Sequence, residues 1–361
     1  MNEKLRVGIT SGDVNGIGLE VIIRTLAPKA MLNFCTPVIY ANPKAVAYYR
    51  TALGAIIEPD EFETRVIASA EQLEEDTVNI INVWDEMPPI TVGAINEVGG
   101  KAAIASLTAA VADLIAGHID VLVTAPIQKQ AMQMAGFAYP GHTEYLTEHL
   151  VAPNSTTPNQ SLMLLVADTL RVATVTGHIP LKEVSEKLTK ELVLQKITLL
   201  HNTLRTDFGI DKPRIAVLGL NPHAGDGGVI GHEEQTVILP AIVAAKAKGI
   251  LAIGAYSADG FFGKSQHLQF DAVLGMFHDQ VLVPFKLDTF GGGVNYTAGL
   301  PFIRTSPDHG TALDIAGKNV ADESSFRTAL FAAIDIHRNR EAYAERNANP
   351  LVRSELQRER F

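Results

Sequence analysis

Short runs of β-branched and aliphatic residues alternate along the chain with longer segments whose apolar positions recur at helical spacing. The runs predict strands at 5–10, 37–41, 78–83, 121–124, 161–167, 171–176, 214–218, 252–256 and 272–276. The intervening segments predict helices at 18–25, 44–52, 99–116, 128–135, 190–205, 233–248 and 324–338. Strands alternating with helices define an α/β protein with a mostly parallel sheet. There is no internal repeat and no low-complexity linker. The polar segment 152–160 reads as a surface loop, and the Arg/Glu-rich segment 338–361 as a solvated terminal helix and tail.

Composition narrows the class. With 361 residues the chain is long enough for two domains or one large one. Hydrophobic residues at 47% and charged residues at 19% suit a globular enzyme and not a disordered chain. Lys+Arg number 30 against 40 Asp+Glu, a net charge of −10. That argues against nucleic-acid binding, which needs a basic face. It leaves room for an anionic small substrate, since a few clustered cations reverse the field in one cleft. The single cysteine, Cys35, permits no intrachain disulfide and sits in an apolar stretch as core filler, which points to a reducing compartment. No signal peptide is visible, and no apolar run is read as reaching the roughly 20 residues that span a bilayer. The expectation is a cytoplasmic protein without membrane or nucleic-acid partners.

The candidate chemistry sits at strand ends. His178, His223 and His278 each follow an apolar strand-like run. Ligands bind at the carboxyl ends of strands in open parallel sheets. Three imidazoles at one edge can hold a divalent metal and leave positions open for substrate. Any one of them alone reads better as a structural imidazole, and His118, His149, His201, His232, His267 and His337 lack the strand-end context. Asp279, directly after His278, and Asp259, in Ser257-Ala258-Asp259-Gly260, can orient a ligand histidine, bind a substrate amine or ligate the metal. Helix N-capping is the competing reading for Asp259.

Anion-binding groups accompany them. Lys286, Asn295 and Arg304 lie beside apolar runs, and together would hold a phosphate or carboxylate by charge-assisted hydrogen bonds. His142 and Thr143 open an apparent helix after Tyr139-Pro140, where backbone N–H groups favour an anion. Three glycine-rich turns stand out: Gly12-Asp13-Val14-Asn15-Gly16-Ile17-Gly18, the loop 221–228 and Gly291-Gly292-Gly293. The first is neither GxGxxG nor a P-loop.

Taken in order, Gly12-Asp13, Gly16-Ile17-Gly18, Val123-Thr124-Ala125-Pro126-Ile127, Lys129, Pro140-Gly141-His142-Thr143-Glu144, Thr176-Gly177-His178-Ile179-Pro180-Leu181, Leu220-Asn221-Pro222-His223-Ala224-Gly225-Asp226-Gly227-Gly228, Phe277-His278-Asp279-Gln280 and Gly299-Leu300-Pro301-Phe302-Ile303-Arg304-Thr305-Ser306 resemble the 4-hydroxythreonine-4-phosphate dehydrogenase family of pyridoxal phosphate biosynthesis. The resemblance implies NAD- or NADP-dependent, metal-dependent oxidation of 4-phosphohydroxy-L-threonine, then decarboxylation to 3-amino-2-oxopropyl phosphate. It implies one divalent ion (Zn, Mg, Co or Mn) on His178, His223 and His278, and substrate on His142, Thr143, Lys286, Asn295 and Arg304, with Asp259 suited to the amine. Lys286 and Asp279 are the side-chain candidates for proton transfer. A homodimer with a shared active site follows, in which His278 completes the partner's metal site.

The run from Asp308 to Gly317 resembles the adenosine-binding loop of isopropylmalate and isocitrate dehydrogenases, with His309, Gly310, Thr311 and Asp314 as cofactor-binding residues. That superfamily implies a two-domain α/β fold that is not Rossmann. Residues 1–128 with 288–361 would form the first domain, and 129–287 the second, carrying the metal histidines and dimer contacts. The chain departs from the family at Val14, Asn15 and Leu19, where Pro, Ala and Pro are usual. Two neighbouring activities share the chemistry, 4-phospho-D-threonate and 4-phospho-D-erythronate dehydrogenase. Two other classes compete, a metal-dependent phosphosugar lyase or isomerase and an inactive phosphate-binding protein. The run 308–317 favours a nicotinamide enzyme.

Overall fold

The computed structural model describes residues 4–349, apart from 55, 59–60, 88, 152–159 and 290–291. Its strands are β1 (Arg6–Thr10), β2 (Thr36–Tyr40), β3 (Thr64–Ile67), β4 (Val78–Ile81), β5 (Val121–Thr124), β6 (Leu162–Val166), β7 (Arg171–Thr174), β8 (Arg214–Leu218), β9 (Leu251–Tyr256), β10 (Ala272–Gly275), β11 (Val294–Ala298) and β12 (Ile303–Pro307). The helices are α1 (Gly18–Leu26), α2 (Pro43–Ala52), α3 (Glu97–Ala116), α4 (Lys129–Met134), α5 (His142–His149), α6 (Val184–Lys187), α7 (Lys190–Thr206), α8 (Leu239–Ala247), α9 (Ala258–Gly263), α10 (His278–Thr289) and α11 (Ser324–Ala348).

Among the described residues the strands form one sheet in the order β3-β4-β2-β1-β5-β12-β11-β6-β7-β10-β8-β9. Strands β3, β4, β2, β1, β5 and β12 are mutually parallel, as are β7, β10, β8 and β9. Between the two blocks β11 and β6 pair antiparallel to their neighbours. Because three successive pairings are antiparallel, the blocks run in opposite directions. Strands β7, β10 and β8 lie side by side, so their carboxyl ends deliver His178, His278 and His223 to one edge in that spatial order.

Helices cover both faces, so the central strands are buried throughout, as continuous apolar runs such as Val121-Leu122-Val123 require. Local signals set the helix ends. Asn42, Asn96 and Thr189 accept a backbone N–H at the starts of α2, α3 and α7, and α3 ends at Gly117 with φ +76°.

Several expectations are corrected. Strands β3, β11 and β12 and helices α6, α9 and α10 lie outside the predicted elements. Pro284 falls inside α10 and reads in sequence as a breaker. A wide π turn, Glu234–Ile238, precedes α8, which is shorter than the predicted 233–248 helix. Helix α3 has 20 residues and a mean hydropathy of 1.5, long and apolar enough to cross a membrane, contrary to the sequence reading. Here Ala102, Ala103, Leu107, Ala110, Val111 and Leu114 are buried beside the sheet. Helix α11 extends to Ala348, and Arg340 is only partly solvated: its Nε meets the buried Asp207 Oδ1 at 2.8 Å. Residues 152–159, 350–361 and Gly291, which carried other loop and tail readings, lie outside the described residues.

Candidate active site

A cleft of about 330 Å³ opens against the middle of the sheet. Its floor is Arg304 of β12, 2% exposed. The guanidinium Nε and Nη2 donate to Thr124 Oγ1 at 3.0 and 2.6 Å, and Nη1 to Thr297 Oγ1 at 3.2 Å. Nη2 also donates to His142 Nδ1 at 2.9 Å. None of these partners is anionic. A buried cation left without a counter-charge costs on the order of 3–5 kcal/mol, and an anionic ligand would offset that cost. Burial pulls the guanidinium below the ordinary arginine range, with Glu144 partly opposing.

His142, the first residue of α5, extends the cradle. Arginine only donates, so His142 Nδ1 accepts and the ring proton sits on Nε2. That Nε2 is buried without a partner and lines the cleft. Burial, then the Arg304 and Lys129 cations, hold the imidazole well below its ordinary range, so it is neutral. Asn295 of β11 adds a buried Oδ1 without a partner. Lys286 of α10 pairs with Asp308 Oδ2 at 3.2 Å, and Thr143 lines the same cleft. Lys129, Glu144, Ser306 and Asp308 also line it and were not singled out from sequence. All four stood inside runs quoted for the resemblances, which was their only signal.

The three histidines divide. His178 and His278 share the cleft, their ring centroids 5.6 Å apart. Glu144 Oε1 lies 3.9 Å from His178 Nδ1, and Asp279 Oδ1 2.7 Å from His278 Nδ1. A carboxylate at Nδ1 leaves Nε2 as the donor atom, the arrangement of metal-binding imidazoles. His223 opens instead into a neighbouring groove of about 690 Å³ with Asp259 and Asp279. Among the described residues no three His, Cys, Asp or Glu side chains of this chain gather closely enough to hold an ion alone. The donor set therefore fits a divalent ion in chemistry, but is split between two adjoining surfaces. Asp259 is not an N-cap: Ser257 holds that position, and its hydroxyl donates to Asp259 Oδ1 in the first turn of α9.

The glycine turn after β1 docks the loop 308–317. Ile17 N donates to Thr311 O at 3.1 Å. A Cβ on Gly16 would stand 2.8 Å from Thr311 O, and one on Gly12 (φ +65°) 2.2 Å from Pro126 O, so both positions require glycine. Asn15, one of the departures from the family, ties the turn to the segment after β4. Its Oδ1 accepts from Thr91 N at 2.8 Å, and its Nδ2 donates to Asn96 Oδ1 at 2.9 Å. His309 and Gly310 face the cleft, Thr311 packs on the turn, and Asp314 is exposed outside the cleft.

An α/β sheet whose polar cleft buries an unpaired cation is the architecture of an enzyme acting on a small anion. The chain belongs to the family of the pyridoxal phosphate biosynthetic protein PdxA, whose model matches residues 33–333. It is 47% identical over 348 residues to a 4-hydroxythreonine-4-phosphate dehydrogenase of Bacteroides thetaiotaomicron, covering 96% of this chain and 93% of that protein. It is 40% identical over 338 residues to the protein of the same name from a Sulfurihydrogenibium species, covering 93% and 99%. A crystal structure of 4-hydroxythreonine-4-phosphate dehydrogenase from Klebsiella pneumoniae aligns with a TM-score of 0.77 at 35% identity, covering 93% of this chain and all of that one. The chain is thus an oxidoreductase with the expected two-domain, non-Rossmann α/β fold.

Proposed function

We propose that this enzyme oxidises 4-phosphohydroxy-L-threonine with NAD or NADP and releases CO2 to give 3-amino-2-oxopropyl phosphate. The observation that carries this reading is the buried Arg304, without a carboxylate partner, beside the unpartnered His142 Nε2–H, a pair of donors that suits an anion. Arg304, His142, Thr143 and Lys286 bind the phosphate and carboxylate, and Asn295, whose unpartnered Oδ1 is an acceptor, takes a substrate N–H or O–H. Lys286 is paired with Asp308 in the resting cleft, so it would exchange that carboxylate for the substrate anion. Asp279, the other candidate for proton transfer, contacts His278 Nδ1 and so sets that imidazole's orientation.

His178, His223 and His278 would hold one divalent ion (Zn, Mg, Co or Mn). Such an ion would supply Lewis acidity toward the oxygens of the substrate. His309, Gly310, Thr311 and Asp314 would hold the dinucleotide, the acceptor of the hydride. The cleft then lies between a domain of 1–128 with 288–361 and one of 129–287.

The split of the histidines between the cleft and the adjoining groove supports a homodimer with shared sites. That groove carries His223, Asp259 and Asp279 among the apolar Phe262, Phe277, Val283 and Leu287. A second copy would cover this face and complete the donor set. Because His178 and His278 share one cleft within the chain, the residue left to reach across would be His223 and not His278 as expected. The lone thiol, Cys35, is buried with its pKa pushed up to about 12 by desolvation, so it is unreactive, consistent with a cytoplasmic enzyme.

NADH absorbance tests the reading, with NAD, a divalent metal and either 4-phosphohydroxy-L-threonine, 4-phospho-D-threonate or 4-phospho-D-erythronate. Turnover of the amino substrate alone is expected. Turnover of a threonate or erythronate alone would move the substrate, and silence with all three would return the reading to a lyase, an isomerase or an inactive binding protein.

A further inference from the structure

The loop that carries His223 follows a course that its own sequence does not favour. Residues His223, Ala224, Gly225, Asp226 and Gly227 all take positive φ, at 53°, 51°, 80°, 41° and 66°. Three of the five are not glycine, so the surrounding fold must impose the conformation. One buried carboxylate stands where it can do so.

Glu234 is 2% exposed at the start of the π turn. Its Oε1 accepts from the backbone N–H of Leu220 at 2.8 Å and of Asn221 at 2.7 Å. Its Oε2 accepts from Asn221 Nδ2 at 3.0 Å. These are the residues immediately before Pro222-His223. The carboxylate also lies against both ends of the loop: a Cβ on Gly219, before it, would stand 3.0 Å from Oε1, and one on Gly225, within it, 2.6 Å from Oε2. Glu233 adds a second bond to Asn221 Nδ2 at 2.8 Å.

We infer that Glu234 is a positioning residue that fixes the left-handed loop and thereby presents the His223 imidazole to the metal. Glu234 does not line the cleft or the groove and acts only through the loop. The inference rests on the reading of His223 as a metal ligand, so the test separates the two.

The full-length protein is stripped of metal and titrated with Co(II), followed by its visible absorption. Hydrogen exchange is measured at the amides of residues 220–231. Glu234→Ala is expected to weaken Co(II) binding 10–100-fold and to accelerate exchange at Leu220 and Asn221. Glu234→Gln, which keeps the Oε1 acceptor, should restore most of both. His223→Ala should weaken binding at least as far with those two amides still protected. Unchanged affinity and protection in Glu234→Ala, with His223→Ala impaired, would overturn the positioning role and leave the ligand assignment standing. Full affinity in His223→Ala would remove the ligand assignment and this inference with it. Should Glu234→Ala not fold, Asn221→Ala decides instead. It removes the shared Nδ2 donor and should show the same two effects at smaller amplitude, and no effect would count against the role.

Discussion

Desolvation does most of the electrostatic work at individual residues of the cleft. Arg304 gives up hydration without gaining a carboxylate, so binding energy waits there for an anion. Arg304→Met should raise the substrate KM about 100-fold, the order expected for losing a buried charge-assisted contact. It should leave Tm unchanged or higher, because the replacement removes an unpaired buried charge. A lower Tm with an unchanged KM would place Arg304 among structural residues instead. His142 makes a pH prediction. Its imidazole stays neutral in the folded state, whereas in the unfolded chain it takes up a proton as pH falls through about 6.5. The unfolded state then binds more protons, so folding stability falls below pH 6.5 and is unaffected above it. Urea melts at pH 7 and pH 5 should show a smaller acid loss in His142→Gln than in the unaltered protein, by about 1–2 kcal/mol. Cys35 was legible in sequence at this scale, because an apolar context alone identifies core filler. The donor state of His142 was not, since it depends on Arg304, 162 residues away.

Elements matter through what they hold in register. Strands β11 and β12 carry Asn295 and Arg304, and the turn between them is clamped by α11. Arg340 donates to the carbonyls of Leu300 and Pro301 and pairs with Asp207, and Tyr296 Oη donates to Asp207 Oδ2 at 2.6 Å. Breaking such a pair leaves Asp207 charged and buried. Arg340→Met should cost about 3–5 kcal/mol in a denaturant melt, and a loss under about 1 kcal/mol would show the clamp to be idle. Periodicity disclosed the long parallel strands but missed β11, β12 and α10. Asn295 and Thr297 interrupt the apolar run of β11, and Pro284 masks α10, whose packed face, Val281, Leu282 and Phe285, is set by tertiary contact. The terminal helix was seen, yet its charged end reads as solvent-facing until Asp207 is placed against it.

At the scale of the whole molecule, the exposed apolar face of α10 adjoins His223. Val283 is 55% and Leu287 70% exposed beside Asp259 and Asp279. On the proposed homodimer, Leu287→Asp should leave only monomer in sedimentation, and should lower bound metal per chain and turnover together. A variant that remains dimeric with full metal content would move the interface elsewhere. A monomer that keeps its metal would break the link between assembly and site.

The sequence by itself determined the α/β class, the family and most of the chemistry, because strand-end histidines, glycine turns and cation positions are local patterns that survive without coordinates. It also named most of the residues that line the cleft, since the matched runs are contiguous. Only the tertiary structure decided how those runs combine. Two parallel blocks of opposite direction meet at β11 and β6, which brings Arg304, His142 and Lys286 around one cleft. The same packing sets His178 and His278 together and leaves His223 on the adjoining face, held by Glu234. These outcomes depend on contacts between residues far apart in the chain, and on which charges are buried with partners and which are buried alone. No periodicity along the sequence records either.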